Sequence, residues 1–360
     1  MTGRADDPVL ATVSPAERAA MAHAVELARR GPSYGPNPQV GCVLLAADGR
    51  RVAEGWHAGA GTLHAEADAL ARARADGIDL TGSTAVVTLE PCAHTGRTGP
   101  CADALVAAGV ARVVFAVADP NPAAAGGADR LRAAQVDVVG GVLQDEGRAL
   151  LRVWLTAMTQ GRPFVTAKLA ASLDGRAAAS DGSSRWITSE QARAHAHRVR
   201  AAVDAVAVGT GTVVVDDPAL TARGADGTLD PHQPMRVVVG HRAVPAAARM
   251  LQAGADVVRL ATHDVHEVLA HLAGLEVRHL LVEGGPTLVA AFLRAGVVDE
   301  VHAYIAPVLL GGGLPAVGDL GITTIGSALR LRTRSVERLG PDVLLIAEPA
   351  PADGPPGEEP

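Results

Sequence analysis

The sequence is poor in cysteine, in lysine and in long apolar runs, and each shortage narrows what the protein can be. Its 360 residues include three cysteines, an odd number that argues against a framework of structural disulfides. No apolar run reaches the roughly 18 residues of a membrane span, and the segment MTGRADDPVL lacks the apolar stretch of a secretory signal. We therefore expect a soluble, cytoplasmic chain with no membrane partner.

Positive charge is also scarce. The net charge of −7 predicts no broad basic face for a nucleic-acid backbone. Arginine provides nearly all the basic side chains, and Lys168 is the only lysine. Because a compact ammonium serves at sites where a guanidinium fork does not, Lys168 is either a functional residue or a chance survivor of a biased composition.

The first half of the chain alternates apolar runs with helical patterns. Ser14, Pro15 and Glu17 form a capping box with proline at the first helical position, which predicts a helix that stops at Gly31. Further helices are predicted at 65–75 and 102–109, a loop at 120–129, and buried strands at 39–46, 84–89, 112–118 and 136–139. This alternation favours an α/β layer with a largely parallel sheet.

A second α/β set follows Pro163. Helices are predicted at 189–201 and 286–295, and strands at 164–170, 203–208, 235–239, 256–260, 278–282 and 299–306. Helix 142–160 is expected to bridge the two sets. The predicted limits are a disordered N-terminus over 1–13, a first domain over 14–145, a linker helix over 146–162, a second domain over 163–348 and a disordered tail over 349–360.

The first half contains a residue set typical of a catalytic zinc site. His64 and Cys101 open predicted helices, and Cys92 follows a predicted strand. These are three ligands of the kind zinc prefers, which leaves a fourth position for water, and Glu66 is then available as general acid and base. The order H-x-E then P-C is that of zinc deaminases, although the second cysteine comes nine positions after the first rather than three. Cys42, inside VGCVLL, is predicted to be a packing residue.

Family resemblance explains that spacing. The segments PNPQVGC (36–42), GWHAGAGTLHAE (55–66), TLEPCAHTGRTGPC (88–101) and VADPNP (117–122) resemble the deaminase domain of the bifunctional riboflavin-biosynthesis deaminase–reductase family, in which the inter-cysteine loop is long. The resemblance implies a cytidine-deaminase-like αβα sandwich that holds one zinc ion. It also implies substrate contacts by Asn37, His57, His94 and Arg97.

The second half resembles the reductase domain of the same family. The matching segments are KLAASLDGR (168–176), SSRWITSEQAR (183–193), GTGTVVVDDPALTAR (209–223), VEGGPTL (282–288) and VDEVHAYIAPVLLGG (298–312). The resemblance implies a dihydrofolate-reductase-like α/β domain that uses NADPH. Implied NADPH contacts are Ala171, Trp186, Thr212, Asp216, Gly285, Pro286, Thr287, Leu288, Val289, Ala290 and Ala291. Implied substrate contacts are Ser184, Arg200, Leu220, Arg223 and Glu283.

Two residues of this half are predicted to be catalytic. Lys168 is expected to end the first strand and Glu283 a later one, and strand C-termini line the ligand crevice of open α/β sheets. Lys168 would polarise or orient the substrate carbonyl, and Glu283 would anchor the pyrimidine or handle a proton. Arg200 and Arg223 would clamp the phosphate bidentately, unless Arg200 is a solvated surface residue.

The resemblance therefore implies deamination of 2,5-diamino-6-(5-phosphoribosylamino)pyrimidin-4-one and NADPH-dependent reduction of its ribosyl group to ribityl, in a homo-oligomer. Two other functions stay open: a nucleoside or tRNA-adenosine deaminase fused to an unrelated domain, and a reductase or binding protein with a structural zinc module. The sequence departs from the family pattern at Gly99 and Ala128, which bear on the rigidity of the deaminase pocket. It also departs at Gly240 and His241, which bear on selectivity for NADPH over NADH.

Overall fold

The structure is a computed structural model that describes residues 12–93, 99–122, 124–252 and 256–350. The chain divides into two compact units, Met1–Gly161 and Arg162–Pro360. Within the described ranges, no helix is long and apolar enough to cross a membrane. The predicted disordered ends fall mainly outside these ranges. Val13 is nonetheless buried in the first core and Pro349 ends the last strand, so the folded chain extends slightly beyond the predicted limits of 14 and 348.

The first unit is built on a five-stranded sheet. Its elements are α1 (Pro15–Ala28), β1 (Gly41–Leu45), β2 (Arg51–Trp56), α2 (Ala65–Ala75), β3 (Thr84–Leu89), α3 (Cys101–Ala107), β4 (Arg112–Val117), α4 (Gly127–Ala133), β5 (Asp137–Gly140) and α5 (Gln144–Gln160). The strand order is β2-β1-β3-β4-β5.

The prediction of a largely parallel sheet holds for three of the five strands of this unit. Strands β3, β4 and β5 are parallel, whereas β1 is antiparallel to both β2 and β3. Strand β2 was not predicted, because its sequence RVAEGW is partly exposed and has no continuous apolar run. Helix α4 was also missed, since it begins inside the predicted loop 120–129.

Local signals in the first unit are confirmed. The Ser14 hydroxyl accepts from the Glu17 backbone at 3.2 Å, and the Glu17 carboxylate accepts from the Ser14 backbone at 2.7 Å, which is the predicted capping box. Cys42 is fully buried in the core of this unit, as expected of a packing residue. The predicted linker 146–162 overlaps α5, whose Leu151 and Trp154 lie in the same core.

The second unit is built on an eight-stranded sheet. Its elements are β6 (Phe164–Ser172), β7 (Arg176–Ala178), α6 (Glu190–Arg200), β8 (Ala205–Gly209), α7 (Thr210–Asp216), β9 (Met235–Val239), α8 (Arg249–Gln252), β10 (Val257–Leu260), α9 (Val265–Gly274), β11 (His279–Val282), α10 (Pro286–Arg294), β12 (Glu300–Ala306), β13 (Leu314–Pro315), β14 (Leu331–Leu339) and β15 (Asp342–Pro349). The order is β10-β9-β8-β11-β6-β12-β15-β14, with β7 and β13 pairing separately.

Every strand predicted in this half is present, and those strands form the parallel part of the sheet. The antiparallel β14–β15 hairpin was missed. The predicted position of Lys168 at a strand end is wrong. Strand β6 continues to Ser172, because the small and apolar residues after Lys168 pair in parallel register with β12, from Lys168 opposite His302 to Ser172 opposite Ala306.

Candidate active sites

The predicted zinc ligands lie together in the first unit. His64 precedes α2, Cys101 begins α3, and Cys92 closely follows β3. Nδ1 of His64 lies 3.7 Å from Sγ of Cys92 and 3.3 Å from Sγ of Cys101, and all three ligand atoms lie within 4.8 Å of one another. A tetrahedral ion with Zn–N and Zn–S bonds of about 2.1 and 2.3 Å needs such atoms about 3.6 Å apart, so the set fits zinc.

Cys92 is the more acidic of the two thiols. A hydrogen bond from the Cys101 side chain lowers the pKa of Cys92, and His64 contributes further. The backbone N–H of Cys101 also donates to Cys92 Sγ at 3.4 Å. The same hydrogen bond, together with burial, raises the pKa of Cys101. Because a thiolate is the form that binds a metal, Cys92 is the readier ligand near neutral pH, and Cys101 would release its proton on binding.

Two residues that sequence analysis did not single out hold Cys92 in place. Gly127 approaches the chain so closely that a Cβ there would lie 1.7 Å from the carbonyl oxygen of Pro91. The buried carboxylate of Glu90 accepts from the backbone N–H of Ala128 at 2.9 Å. The close approach therefore needs glycine at 127, while Ala128 is accommodated. The sequence signal was the motif VADPNP, whose downstream loop meets the end of β3.

Glu66 is buried in the first turn of α2, two residues after His64. Burial raises the pKa of its carboxyl from 4.5 to about 7, and the charge on Cys92 adds to this. A carboxyl with a pKa near neutrality can both accept and release a proton, which is the property that the predicted acid–base role needs.

Asn37 and His57 form a hydrogen-bonded pair beside the ligand His64. Nδ2 of Asn37 lies 3.0 Å from Nε2 of His57, and Nδ1 of His57 donates to the carbonyl of Leu63 at 2.9 Å. The His57 and His64 rings meet edge-on with centroids 5.7 Å apart. Burial lowers the pKa of His57, so the ring stays neutral with both nitrogens engaged. It is therefore not a fourth ligand, and among the described residues the metal-binding set has three members.

His94 and Arg97, the other predicted deaminase contacts, lie outside the described residues. Gly99, just after that segment, is exposed, and a Cβ there would meet no atom within 4 Å. Packing therefore does not require glycine at this departure from the family pattern.

Lys168 on β6, Arg200 at the end of α6 and Glu283, which directly follows β11, meet in the second unit. The Glu283 carboxylate accepts from Nε and Nη2 of Arg200 at 2.5 and 2.8 Å and from Nζ of Lys168 at 3.3 Å. The side chains of Glu283, Arg200 and Lys168 are only 5%, 16% and 19% exposed, so Arg200 is not a solvated surface residue. Burial alone would raise the pKa of Glu283, but Arg200 and Lys168 outweigh it and lower the pKa to about 2.

Tyr304 borders this cluster and was missed by sequence analysis. Its ring centre lies 5.7 Å from Nζ of Lys168, and its hydroxyl oxygen lies 2.7 Å from Nδ1 of His195 on α6. Burial raises the pKa of the phenol, so Tyr304 remains neutral. The available signal was the spacing EVHAYIA, which places Glu300, His302 and Tyr304 on one face of β12.

The predicted nucleotide-binding run begins α10. The backbone N–H of Gly285 donates to Oγ1 of Thr212 at 2.8 Å, and a Cβ on Gly284 would lie 2.9 Å from the backbone nitrogen of Gly209. A helix N-terminus with so close a backbone approach suits a dinucleotide phosphate, so these residues fit NADPH. The first turns of α10 contain Pro286, Thr287, Leu288, Val289, Ala290 and Ala291.

Other predicted NADPH and substrate contacts are spread over strands and loops. Ala171 is buried on β6, and Ser184 is half-buried on the loop after β7. Trp186, on the same loop, is 69% exposed, with the Arg193 guanidinium 4.5 Å from its ring centre. Asp216 ends α7. The contacts described for these residues do not join them to the cluster around Glu283.

Leu220 and Arg223 connect to that cluster through Thr221. Leu220 is 2% exposed, and Arg223 donates through Nε to Oγ1 of Thr221 at 3.2 Å and through Nη1 to the Gly227 carbonyl at 2.8 Å. The carbonyl of Thr221 accepts from Nη1 of Arg200 at 3.0 Å. The predicted substrate contacts Arg200, Leu220 and Arg223 are therefore neighbours.

Comparison with known proteins assigns a family to each unit. Residues 15–117 match the cytidine and deoxycytidylate deaminase zinc-binding region, and residues 163–345 match the RibD C-terminal domain. The riboflavin biosynthesis protein RibD of Mycobacterium tuberculosis is 52% identical over 317 residues, which are 88% of this chain and 92% of that protein. RibD of Escherichia coli K12 is 41% identical and covers 90% of this chain, with 97% of its own length matched.

Solved structures agree with these sequence matches. The crystal structure of a diaminohydroxyphosphoribosylaminopyrimidine deaminase/5-amino-6-(5-phosphoribosylamino)uracil reductase from Thermotoga maritima is similar, with a TM-score of 0.85 and 34% identity over 93% of this chain and 99% of that chain. Acinetobacter baumannii RibD is similar with a TM-score of 0.86 and 37% identity over the same shares. Both units are thus matched together, in one order, within single relatives.

Proposed function

The chain belongs to the RibD family, so it is a bifunctional deaminase and reductase of riboflavin biosynthesis, and we propose how its residues divide that chemistry. The first unit deaminates the diaminopyrimidinone ribosylamine phosphate with zinc. The second unit reduces the product, 5-amino-6-(5-phosphoribosylamino)uracil, with NADPH. The observation that carries this assignment is the pair of clusters, His64–Cys92–Cys101 beside Glu66 and Lys168–Arg200–Glu283.

In the first unit, we assign zinc binding to His64, Cys92 and Cys101. A zinc ion held by these three residues would supply an activated water for the reaction. Glu66 takes one proton from the attacking water and delivers it to the ring nitrogen as the new C–O bond forms. It then carries the remaining hydroxyl proton to the amino group, which leaves as ammonia when the C–N bond breaks and the carbonyl forms. Its burial supports this role, because a pKa of about 7 lets the carboxyl change its protonation state at working pH.

The pyrimidine is held by Asn37 and His57 in this proposal. The hydrogen bond between them fixes the Asn37 amide nitrogen towards His57, so the amide oxygen is turned to accept from a ring amino group. His94 and Arg97 are proposed to contact the ribose phosphate, since a segment with basic side chains between two zinc ligands suits an anionic substituent.

In the second unit, NADPH, when bound, would supply the hydride that reduces the sugar carbon. We propose that the Lys168 ammonium donates to the sugar oxygen and protonates it as the ring opens, and that Glu283 keeps this ammonium oriented. Leu220 and Ser184 border the pyrimidine. Because Glu283 takes the guanidinium fork of Arg200, Arg223 is the better placed of the two arginines for a phosphate.

The remaining proposals concern surroundings and partners. The NADPH phosphates are assigned to Thr212 and Gly285–Ala291, where a helix begins, and Ala171, Trp186 and Asp216 to the rest of the nucleotide. We further propose that the protein is a homo-oligomer in the cytoplasm. We also propose that it has no nucleic-acid partner, which the net charge of −7 supports.

The alternatives are weaker. A nucleoside or tRNA-adenosine deaminase fused to an unrelated domain disagrees with relatives that match across both units. A structural zinc module would be closed by a fourth protein ligand. His57 lies beside His64, but both of its ring nitrogens are engaged in hydrogen bonds, so it does not supply that ligand.

A two-stage assay tests the proposal. With the diaminopyrimidinone substrate alone, the enzyme should release ammonia. NADPH should be consumed only after ammonia has appeared. Glu66→Ala should stop ammonia release yet still oxidise NADPH when the deaminated pyrimidine is supplied. Full ammonia release by Glu66→Ala would show that the proton-transfer assignment is wrong.

A further inference from the structure

Two residues of the segment Asp217–Arg223 have an unfavourable backbone conformation. Asp217 has φ of 41° and Leu220 has φ of 52°, although neither is glycine. A branched side chain such as leucine rarely adopts this left-handed region, and such residues persist only where their surroundings hold them. Since Leu220 and Arg223 are proposed substrate contacts, what holds this segment bears on substrate binding.

Helix α6 holds the segment from one side. The carbonyl of Thr221 accepts hydrogen bonds from Nη1 of Arg200 at 3.0 Å and from Nδ1 of His197 at 2.9 Å. Arg200 is itself fixed by Glu283. Arg200 therefore connects the carbonyl of Thr221 to the cluster around Glu283.

Gln233 holds the same segment from the other side, just before β9. Its Oε1 accepts from the backbone N–H of Ala222 at 3.0 Å, and its Nε2 donates to the carbonyl of Ala222 at 2.9 Å. The second proton of Nε2 is directed to the carbonyl of Asp230 at 2.8 Å. The side-chain amide thus pairs with Ala222 as a neighbouring strand would, and both ends of the amide are engaged.

The position of Ala222 decides where the substrate contacts lie. It is fully buried, and it separates Thr221 from Arg223. Arg223 is oriented by Thr221 and by the Gly227 carbonyl within the same loop. A shift of Ala222 would therefore displace Arg223 and Leu220 together.

We propose that Gln233 is a positioning residue for the phosphoribosylated pyrimidine of the reductase, acting through Ala222 on Leu220 and Arg223. The inference rests on the proposed function, which places substrate at those two residues. Gln233 touches neither the substrate nor NADPH in this assignment. Its loss should consequently weaken pyrimidine binding and leave NADPH binding intact.

The test uses Gln233→Glu in the full-length enzyme. This change keeps the length of the side chain but turns a carboxylate oxygen towards the carbonyls of Ala222 and Asp230. Calorimetric titration with 5-amino-6-(5-phosphoribosylamino)uracil, without NADPH, should give a Kd raised about tenfold, the effect of one or two lost hydrogen bonds. The Kd for NADPH should be unchanged, which also shows that the second unit is folded.

Two further variants complete the design. Gln252→Glu is the matched control, since that exposed amide also donates to a backbone carbonyl, at 2.8 Å, and should change neither Kd. Gln233→Met replaces the amide without adding charge. It should also raise the pyrimidine Kd and speed hydrogen exchange at the Ala222 amide, which keeps the inference testable if the glutamate variant does not fold.

Arg223→Gln separates the inference from its premise. If Arg223→Gln weakens pyrimidine binding and both Gln233 variants do not, the positioning role is overturned while the substrate site stands. If Arg223→Gln also leaves binding unchanged, the substrate site itself is wrong. Equal weakening of NADPH and pyrimidine in the Gln233 variants would overturn the inference as well, because it would indicate a general loss of structure.

Discussion

Exchange of Lys168 for arginine should separate the two activities of the enzyme. The substitution keeps a positive charge beside Glu283, so the carboxylate stays ionised and the cluster keeps its charge balance. What changes is shape, because a compact ammonium becomes a planar fork with its charge spread over several atoms. In the parent protein, Nζ of Lys168 donates one hydrogen bond to Glu283 at 3.3 Å, and the other hydrogen bonds to that carboxylate come from Arg200.

The size of the effect follows from this geometry. The Lys168 side chain is only 19% exposed, and a larger head group in such a site costs about 1–3 kcal/mol of stability through overpacking. The loss in rate should be greater. A misplaced proton donor typically costs a factor of about 10²–10⁴, so NADPH oxidation should fall at least about 100-fold.

The assay follows NADPH absorbance with the deaminated pyrimidine as substrate and ammonia release with the diaminopyrimidinone. Deamination should stay close to the parent rate, since Lys168 lies in the second unit. The control is Arg332→Lys, which exchanges the same two residue types in the opposite direction on the exposed strand β14. It should affect neither activity. Equal loss of both activities in Lys168→Arg, or unimpaired NADPH oxidation, would refute the reasoning.

Metal and pH give two further tests. Cys92→Ser or Cys101→Ser should lose the zinc, about one ion per chain in the parent protein, and ammonia release with it, while NADPH oxidation of supplied deaminated substrate persists. Metal analysis measures this, and zinc retained in both variants would contradict the ligand assignment. Acid should destabilise the second unit through Glu283. Its pKa is lowered from 4.5 to about 2, so its stabilising effect is complete above pH 4.5 and is lost as the pH falls towards 2. That effect is at most about 3 kcal/mol, at about 1.4 kcal/mol for each pH unit. Urea unfolding across this range should show a flatter pH dependence in Glu283→Gln, and an unchanged dependence would exclude the carboxylate as its source.

The sequence was most informative where a residue's role depends on its near neighbours. The capping box of Ser14 and Glu17 needs only four residues of chain. The zinc ligands His64 and Cys101 could be placed because each opens a helix, which brings it to an element end whatever the rest of the fold does. The parallel strands of the second unit are continuous apolar runs, and burial on both faces of a sheet leaves that pattern in the sequence.

Prediction failed where distant contacts decide. Helix α7 has the sequence TGTVVVD, whose glycine and β-branched residues favour other structures, and its packing against β8 and β9 overrides that preference. The hairpin β14–β15 was missed because β14 is exposed along most of its length and shows little apolar alternation. The role of Gly127 depends on the carbonyl of Pro91, which lies far away in sequence, and that of Gln233 on backbone groups of a loop whose path the sequence does not reveal.

The charge balance around Glu283 gives a lysine at position 168 a specific role. Two cations face one carboxylate in a cluster that is largely buried, and neutral Tyr304 adds no negative charge. Arg200 bonds both oxygens of Glu283, and Lys168 adds a second cation that lowers the pKa of this carboxyl further. The cluster therefore holds one positive charge more than its own pairing requires, and a buried excess charge is costly unless a partner balances it. In the proposed reduction, the sugar oxygen gains negative charge as the ring opens. The Lys168 ammonium, oriented by its hydrogen bond to Glu283, is the cation that meets this charge by giving up a proton.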